Sequence, residues 1–440
     1  MRWLLAKTIR LSVVGLLVFS ASTGVASGQA TNDAAPAVVA HFHLSGMLSE
    51  SPVADPFGLM AGEMTSLKDL VRRMDKASTD DKVKAVILTF DGMQLGLGQL
   101  QEVRQAVEHI KAAGKKVYVH AEDLDTRTYA LLCAGSRLSL APQSSLWLTG
   151  IYGESLYVKG LLDKIGVQAD YLHMGDYKSA AEMMTRTSPS AQAQENLNWI
   201  FDSIYGSLVE MIAKSRGKKP EEVRDLVDHG PYIAEQALQK GLIDAVETRD
   251  ELVAQVKKDV GEQMEVDNRY GRKERAAINL ANPLAAFSLL TELFKAPAAS
   301  QKDAVALVYI DGAILPGYSQ PSLFGAFNAA FSGDIQKALD NAAENDTVKA
   351  VVMRVDSPGG SAQASETILN AAGRVRAKKP LIVSMGDVAG SGGYYVSCGA
   401  DAIFADEATI TASIGVVGGK LVTTDLWGKL GVNWVGYKIG

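Results

Sequence analysis

The chain has 440 residues, with 44 Lys and Arg against 50 Asp and Glu for a formal charge of −6; it is 47% hydrophobic and carries 41 glycines and two cysteines. That composition supplies cores for two or three globular domains and excludes a disordered chain or a disulfide-stapled miniprotein. The mild acidity speaks against nucleic acid as a partner, because phosphate binding requires clustered positive charge.

Residues 1–30 stand apart. Arg2, Lys7 and Arg10 precede an uncharged stretch from Leu11 to Ala30, apolar at its centre and small-residued at its end. This is the pattern of a signal sequence or N-terminal membrane anchor. The uncharged run reaches about 20 residues, the length that spans a bilayer, so cleavage and retention both stay open. Positive charge at its start predicts that the remainder faces the non-cytoplasmic side.

An internal repeat organises the rest of the chain. D-D-K-V-K-A-V-I-L-T-F-D from Asp80 matches N-D-T-V-K-A-V-V-M-R-V-D from Asn345, with Val83 on Val348 and Asp91 on Asp356 (348−83 = 356−91 = 265). The repeat divides the chain into a first module over 37–266, a linker over 267–302 and a second module over 303–440. Within each module, short β-branched runs at Ala85–Phe90, Val117–His120, Ala350–Val355 and Leu381–Ser384 read as buried strands. Helical periodicity lies between them at Gln99–Lys111 and Ser365–Arg376, which predicts crossover units and a largely parallel sheet. After Lys178, Ser188 can cap a helix, Pro189 suits its first position, and the periodicity runs on through Ile212. In the linker, 276–295 reads as an amphipathic helix packed on the body.

Cys133 and Cys398 occupy equivalent positions (398−133 = 265) and read as two buried thiols inherited from one ancestor, not as a disulfide. The second module stops at Gly440, the counterpart of Gly175 (440−265 = 175). It therefore reads as incomplete, lacking the helical portion that the first module carries to Val266 and leaving apolar surface and an oligomer contact uncovered.

Two segments of the second module could carry chemistry. D-S-P-G-G-S at Asp356–Ser361 follows a predicted strand, where glycine amides can hold an anion or an oxyanion; a plain strand-to-helix turn would look the same. G-D-V-A-G-S-G-G-Y-Y-V-S at Gly386–Ser397 sets Ser391 among glycines, as on an elbow that presents a nucleophile. Its first-module equivalent is Thr126 (391−265 = 126), without those glycines. A serine needs a base, and no histidine lies beyond His229, so a histidine within the second module is excluded. Lysine can serve where burial lowers its pKa, and Lys178 in Y-K-S-A, after a predicted strand at Ala169–His173, is the candidate. H-F-H at His41 and His43 places two rings on one strand face, which reads as a solvated edge, and no metal cluster or H-E-x-x-H is evident.

Together, D-S-P-G-G, G-D-x-A-x-S-G-G-Y-Y, the Y-K-S-A lysine and A-S-I-G at Ala412–Gly415 resemble the long, tandem-repeat form of the signal peptide peptidase A (protease IV) family. The resemblance extends from Val38 to the end. It implies an α/β architecture of tandem duplicated Clp/crotonase-like domains, the second truncated, with a Ser/Lys dyad divided between the repeats. Carried over by motif, Ser391 is the nucleophile, Lys178 the general base and Ser413 the residue that orients the lysine. Gly359, Gly360 and Gly392 supply the oxyanion hole. The implied protein is a homo-oligomeric serine endopeptidase without cofactor or metal. Its N-terminal segment anchors it to a bacterial inner membrane with the body on the periplasmic side, where it degrades signal-peptide remnants and other apolar peptides. Two other classes share the features: a crotonase-type acyl-thioester enzyme, disfavoured because coenzyme A is cytosolic, and an inactive scaffold or binding protein.

Overall fold

Apolar, β-branched runs too short for helices pair side by side and are covered on both faces. In the computed structural model, which describes residues 37–52, 65–272, 302–320 and 329–439, Val38–Ser49, Val83–Gln94, Lys116–Ala121 and Arg137–Leu140 form successive strands of one parallel sheet. Glu265–Asp267 closes one edge and Ala245–Val246 the other. A second parallel sheet runs Ala304–Asp311, Val348–Ser357, Leu381–Gly390, Ala402–Phe404. Three of its strands begin 265 residues after their counterparts (348−83, 381−116, 402−137), so both sheets grow by the same crossovers. The protein is α/β, as the strand and helix periodicities predict.

The helices between the strands, Leu97–Ala112 in the first half and Ala362–Arg376 in the second, begin and end within a few residues of the predicted ones. Each covers its own sheet and closes a separate core: Leu88, Leu100, Val103, Ile110 and Val119 in one, Val351, Met353, Ile368, Val375 and Val383 in the other. Among the described residues, no helix is long and apolar enough to cross a membrane. The expected signal or anchor over 1–30 and the amphipathic helix over 276–295 lie outside the described residues.

Three expectations change. The long helix opens at Ala191, not Pro189: Glu182 accepts the Ser190 N–H, and Ser190 Oγ accepts that of Ala193, so Ser190 is the cap in place of Ser188. His41 is no solvated edge, because its strand is interior, flanked by Val83–Gln94 and Glu265–Asp267. Its buried ring shares hydrogen bonds with Asn268 and Thr89. Of the two free thiols, Cys133 is buried but Cys398 is exposed. Arg104, bonded to Met211 O and Ser215 Oγ on the Ala191–Arg216 helix, lies over Cys133, and no described helix covers Cys398 in the same way.

The halves are joined by polar groups that no strand or helix period reveals. Helix Leu97–Ala112 turns Gln101 and Gln105 toward the second half: Gln101 Oε1 accepts the Ala408 N–H and Gln105 Nε2 donates to Asp406. Arg354 sits at the centre of this junction. Its guanidinium donates to both oxygens of Glu50, to Ser384 Oγ and to Met385 O, and it also pairs with Glu102 at 2.6 Å. Both Arg354 and Glu50 are buried. Removing one member of such a pair strands the other charge away from water. Arg354→Met is therefore expected to lower stability by about 3–5 kcal/mol in denaturant melts. Loss of less than about 1 kcal/mol, the range of an exposed pair, would show that the junction is wet.

Candidate active site

Strand Leu381–Gly390 ends directly at Ser391, and helix Gly392–Ser397 starts after it. The reversal holds Ser391 at φ 52° and ψ −112°, a conformation that L-residues rarely adopt. It persists because Ser391 N–H donates to Ala412 O (2.7 Å) and Ser391 O accepts the Tyr395 N–H (2.9 Å). Ala412 and Ser413 also have positive φ, so three of the four such non-glycine residues described meet at this point. Conformational strain is concentrated where three side chains converge.

Lys178 reaches the site from the other half of the molecule. Strand Gln168–His173 pairs antiparallel with Val417–Val422, from Val417 opposite His173 to Val422 opposite Gln168, and Met174 N–H continues the ladder to Val416 O. Two glycines permit this approach. A Cβ on Gly419 would lie 2.3 Å from Asp170 O, and one on Gly415 2.4 Å from Met174 O. The chain then turns at Gly175, φ 86°, and brings Lys178 inward. Lys178 Nζ stands 3.0 Å from Ser391 Oγ, 3.1 Å from Ser413 Oγ and 2.7 Å from Ser413 O. The three residues expected to act together are together.

The lysine is 6% exposed, and no described carboxylate forms an ion pair with it. Burial therefore pushes its ammonium below the ordinary lysine range without an opposing acid. Three oxygens lie within hydrogen-bond distance of a nitrogen whose pKa burial lowers, which places a lysine amine beside a hydroxyl.

The glycines divide into two roles. Gly359 is at φ 97°, and a Cβ there would lie 2.5 Å from Gly392 N and 2.8 Å from Ser391 Cβ. Its own N–H donates to Ser357 Oγ at 3.1 Å, and its lack of a side chain gives clearance beside Ser391. Gly360, at φ 155°, and Gly392, the first residue of its helix, lie beside one another; a Cβ on Gly392 would be 3.2 Å from Gly360 N. No hydrogen bond to a described residue occupies either N–H.

Behind this loop lies a carboxylate cluster that the spacing of acids in the sequence does not reveal. Oxygens of Glu50, Asp356 and Asp387 fall within 4.8 Å of one another. Asp387 Oδ1 accepts the N–H groups of Gly98 (2.7 Å) and Gln99 (3.0 Å), so this residue of the strand that ends at Ser391 seats the N-terminus of the first half's helix. Gly96 is obligatory beneath it, since a Cβ would fall 1.6 Å from Asp387 Oδ2. Asp356 Oδ1 accepts Val388 N–H, and Arg354 neutralises Glu50. The sequence signal for this cluster is the aspartate that each motif carries, Asp356 and Asp387.

The profile of Peptidase family S49 matches residues 109–263 and 373–440, segments that contain Lys178 and Ser391 respectively and cover just over half of the chain. The chain belongs to peptidase family S49. Among curated relatives it is similar to Serine protease SPPA, chloroplastic, of Arabidopsis thaliana, at 28% identity across 84% of this chain and 52% of that protein. It is also similar to Protease 4 of Haemophilus influenzae, at 32% identity across 79% and 55%. Protease 4 of Salmonella typhi is 29% identical across 80% and 55%. The chain spans about half the length of these relatives. In this S49 member, the two matched segments are the ones that the Gln168–His173 ribbon joins.

The cluster has a pH signature. Burial, opposed by the Val388 N–H and reinforced by Asp387, Glu50 and Asp311, raises Asp356 to about 6. Burial also raises Asp387, Glu102 and Asp406. A carboxyl raised on folding takes up protons more readily folded than unfolded, so its contribution is greatest at low pH and is lost as pH rises through about 6. Between pH 7 and pH 5 the parent should gain more melting temperature on acidification than Asp356→Asn. Equal gains in the two proteins would place the titration elsewhere.

Proposed function

We propose that the chain is a membrane-associated serine endopeptidase in which Lys178 and Ser391 form a dyad divided between tandem Clp/crotonase-like domains. The observation carrying this reading is the 3.0 Å contact between Lys178 Nζ and Ser391 Oγ, with Ser413 against the same nitrogen. The matching strand order of the two sheets supports the duplication, and membership of family S49 supports the peptidase class. Neutral Lys178 accepts the hydroxyl proton as Ser391 Oγ attacks the substrate carbonyl carbon. The N–H groups of Gly360 and Gly392 hold the resulting oxyanion. The lysine ammonium then gives its proton to the leaving amine as the C–N bond breaks. Water, deprotonated by the same lysine, attacks the acyl ester and releases Ser391. Ser413 keeps Nζ directed at Oγ.

The substrate class is signal-peptide remnants and other apolar peptides, met at a bacterial inner membrane on its periplasmic side. Residues 1–30 provide the anchor. A homo-oligomer fits the repeat: the ribbon between 168–173 and 417–422 has counterparts at 433–438 (168+265, 173+265) and 152–157 (417−265, 422−265). Trp434, Val435 and Tyr437 in one, and Tyr152 and Leu156 in the other, are exposed, as edges awaiting a second copy would be.

Hydrolysis of a fluorogenic apolar peptide tests the dyad. Ser391→Ala and Lys178→Ala are each expected to lower kcat/KM by several orders of magnitude, and Ser413→Ala by about tenfold to a hundredfold. Retained activity in either dyad variant removes the proposal. In the parent, kcat/KM should rise with pH through one ionisation lying below lysine's 10.5, because only the neutral amine accepts the proton. A profile flat across the neutral and alkaline range would exclude a lysine base.

A further inference from the structure

The first half keeps a cleft where the second half has its catalytic centre. A cavity of about 830 Å³ opens there, within the size range of ligand sites. Subtracting 265 maps the second half's apparatus onto its wall: Gly359 becomes Gln94, Gly360 becomes Leu95, Gly390 becomes Asp125, Gly392 becomes Arg127 and Ala412 becomes Trp147. The replacements remove the chemistry. Thr126, in place of Ser391, donates its hydroxyl to Thr149 O at 2.6 Å and accepts Thr149 N–H at 2.8 Å, so it is tied into its own loop. The glycine positions that leave room beside Ser391 carry side chains.

The same replacements build a binding surface. Met93 and Leu124 form a buried floor, Phe90 and Leu95 are half-buried, and Trp147 stands 54% exposed at the mouth. A large aromatic left half in water over an apolar floor is the type of residue that anchors an interface. Asp123, Asp125 and Asp387 line the cleft against a single cation, Arg127, so its rim favours positive charge. Asp387 is four residues before Ser391 (391−387) and belongs to the nucleophile strand, so the cleft is continuous with the junction that positions the dyad.

We propose that this degenerate cleft is a second, non-hydrolytic peptide site, which holds an extended apolar peptide segment carrying a positive charge. The substrate class rests on the peptidase reading of Ser391. Occupation at the degenerate site and acylation at Ser391 are separable events.

Equilibrium dialysis of the full-length Ser391→Ala protein against a labelled, uncleaved apolar peptide with one arginine should give two peptides bound per chain. Trp147→Ala and, separately, the cleft-filling Gln94→Trp, both at exposed positions, should each reduce this to one. Acylation of Ser391 by a fluorophosphonate, measured in proteins that retain the serine, should remain unchanged by either substitution. One peptide per chain that Trp147→Ala leaves bound, or two that neither substitution reduces, overturns the proposal. Failure of Ser391 to acylate while one peptide still binds and is lost in Trp147→Ala would reject the peptidase reading and leave the cleft standing.

Discussion

A lysine ammonium held away from water without a carboxylate is costly, and the structure is arranged around that constraint. Lys178 and Ser391 are 213 positions apart, and neither half of the molecule contains a complete site. The contact exists because two strands from different halves zip together and two glycines, Gly415 and Gly419, admit the opposing backbone. A side chain at either position would push the lysine segment outward and return Nζ toward solvent, where the burial that lowers its pKa would be lost.

The same division explains the polar character of the junction. An apolar interface could join the halves, but its packing would tolerate sliding more readily than directional bonds do. Asp387, on the strand that ends at Ser391, instead holds the Gly98 and Gln99 amides in the first turn of helix Leu97–Ala112, and Arg354 forks onto Glu50. Buried charges paired in this way give little net stability, but they fix one relative register. Register is what a contact between Lys178 of one half and Ser391 of the other requires.

Much of the fold was legible because the sequence matches itself at an offset of 265: the strands at Val83–Gln94 and Val348–Ser357 share that offset, and it carries across the sheet. Ser391 was legible from its glycines and Lys178 from the family motif. Other features were not legible. The burial of Gln101 contradicts an ordinary polar helix face and becomes intelligible only when the second half is laid against it. Gly359 looks in sequence like any oxyanion donor, yet a neighbouring hydroxyl, Ser357, claims its N–H. The exposed Cys398 matches Cys133 by position but not by surroundings, since equivalence in sequence does not copy what packs on top.

The claim that a base from one half activates a nucleophile from the other is tested most directly by mapping the residue that a fluorophosphonate labels, by peptide mass spectrometry, in the parent and in Lys178→Ala. The account predicts a single adduct, on Ser391, forming at a rate that rises with pH and falls by at least a hundredfold without the lysine amine. Labelling at another serine, or labelling of Ser391 at the same rate in Lys178→Ala, would contradict it.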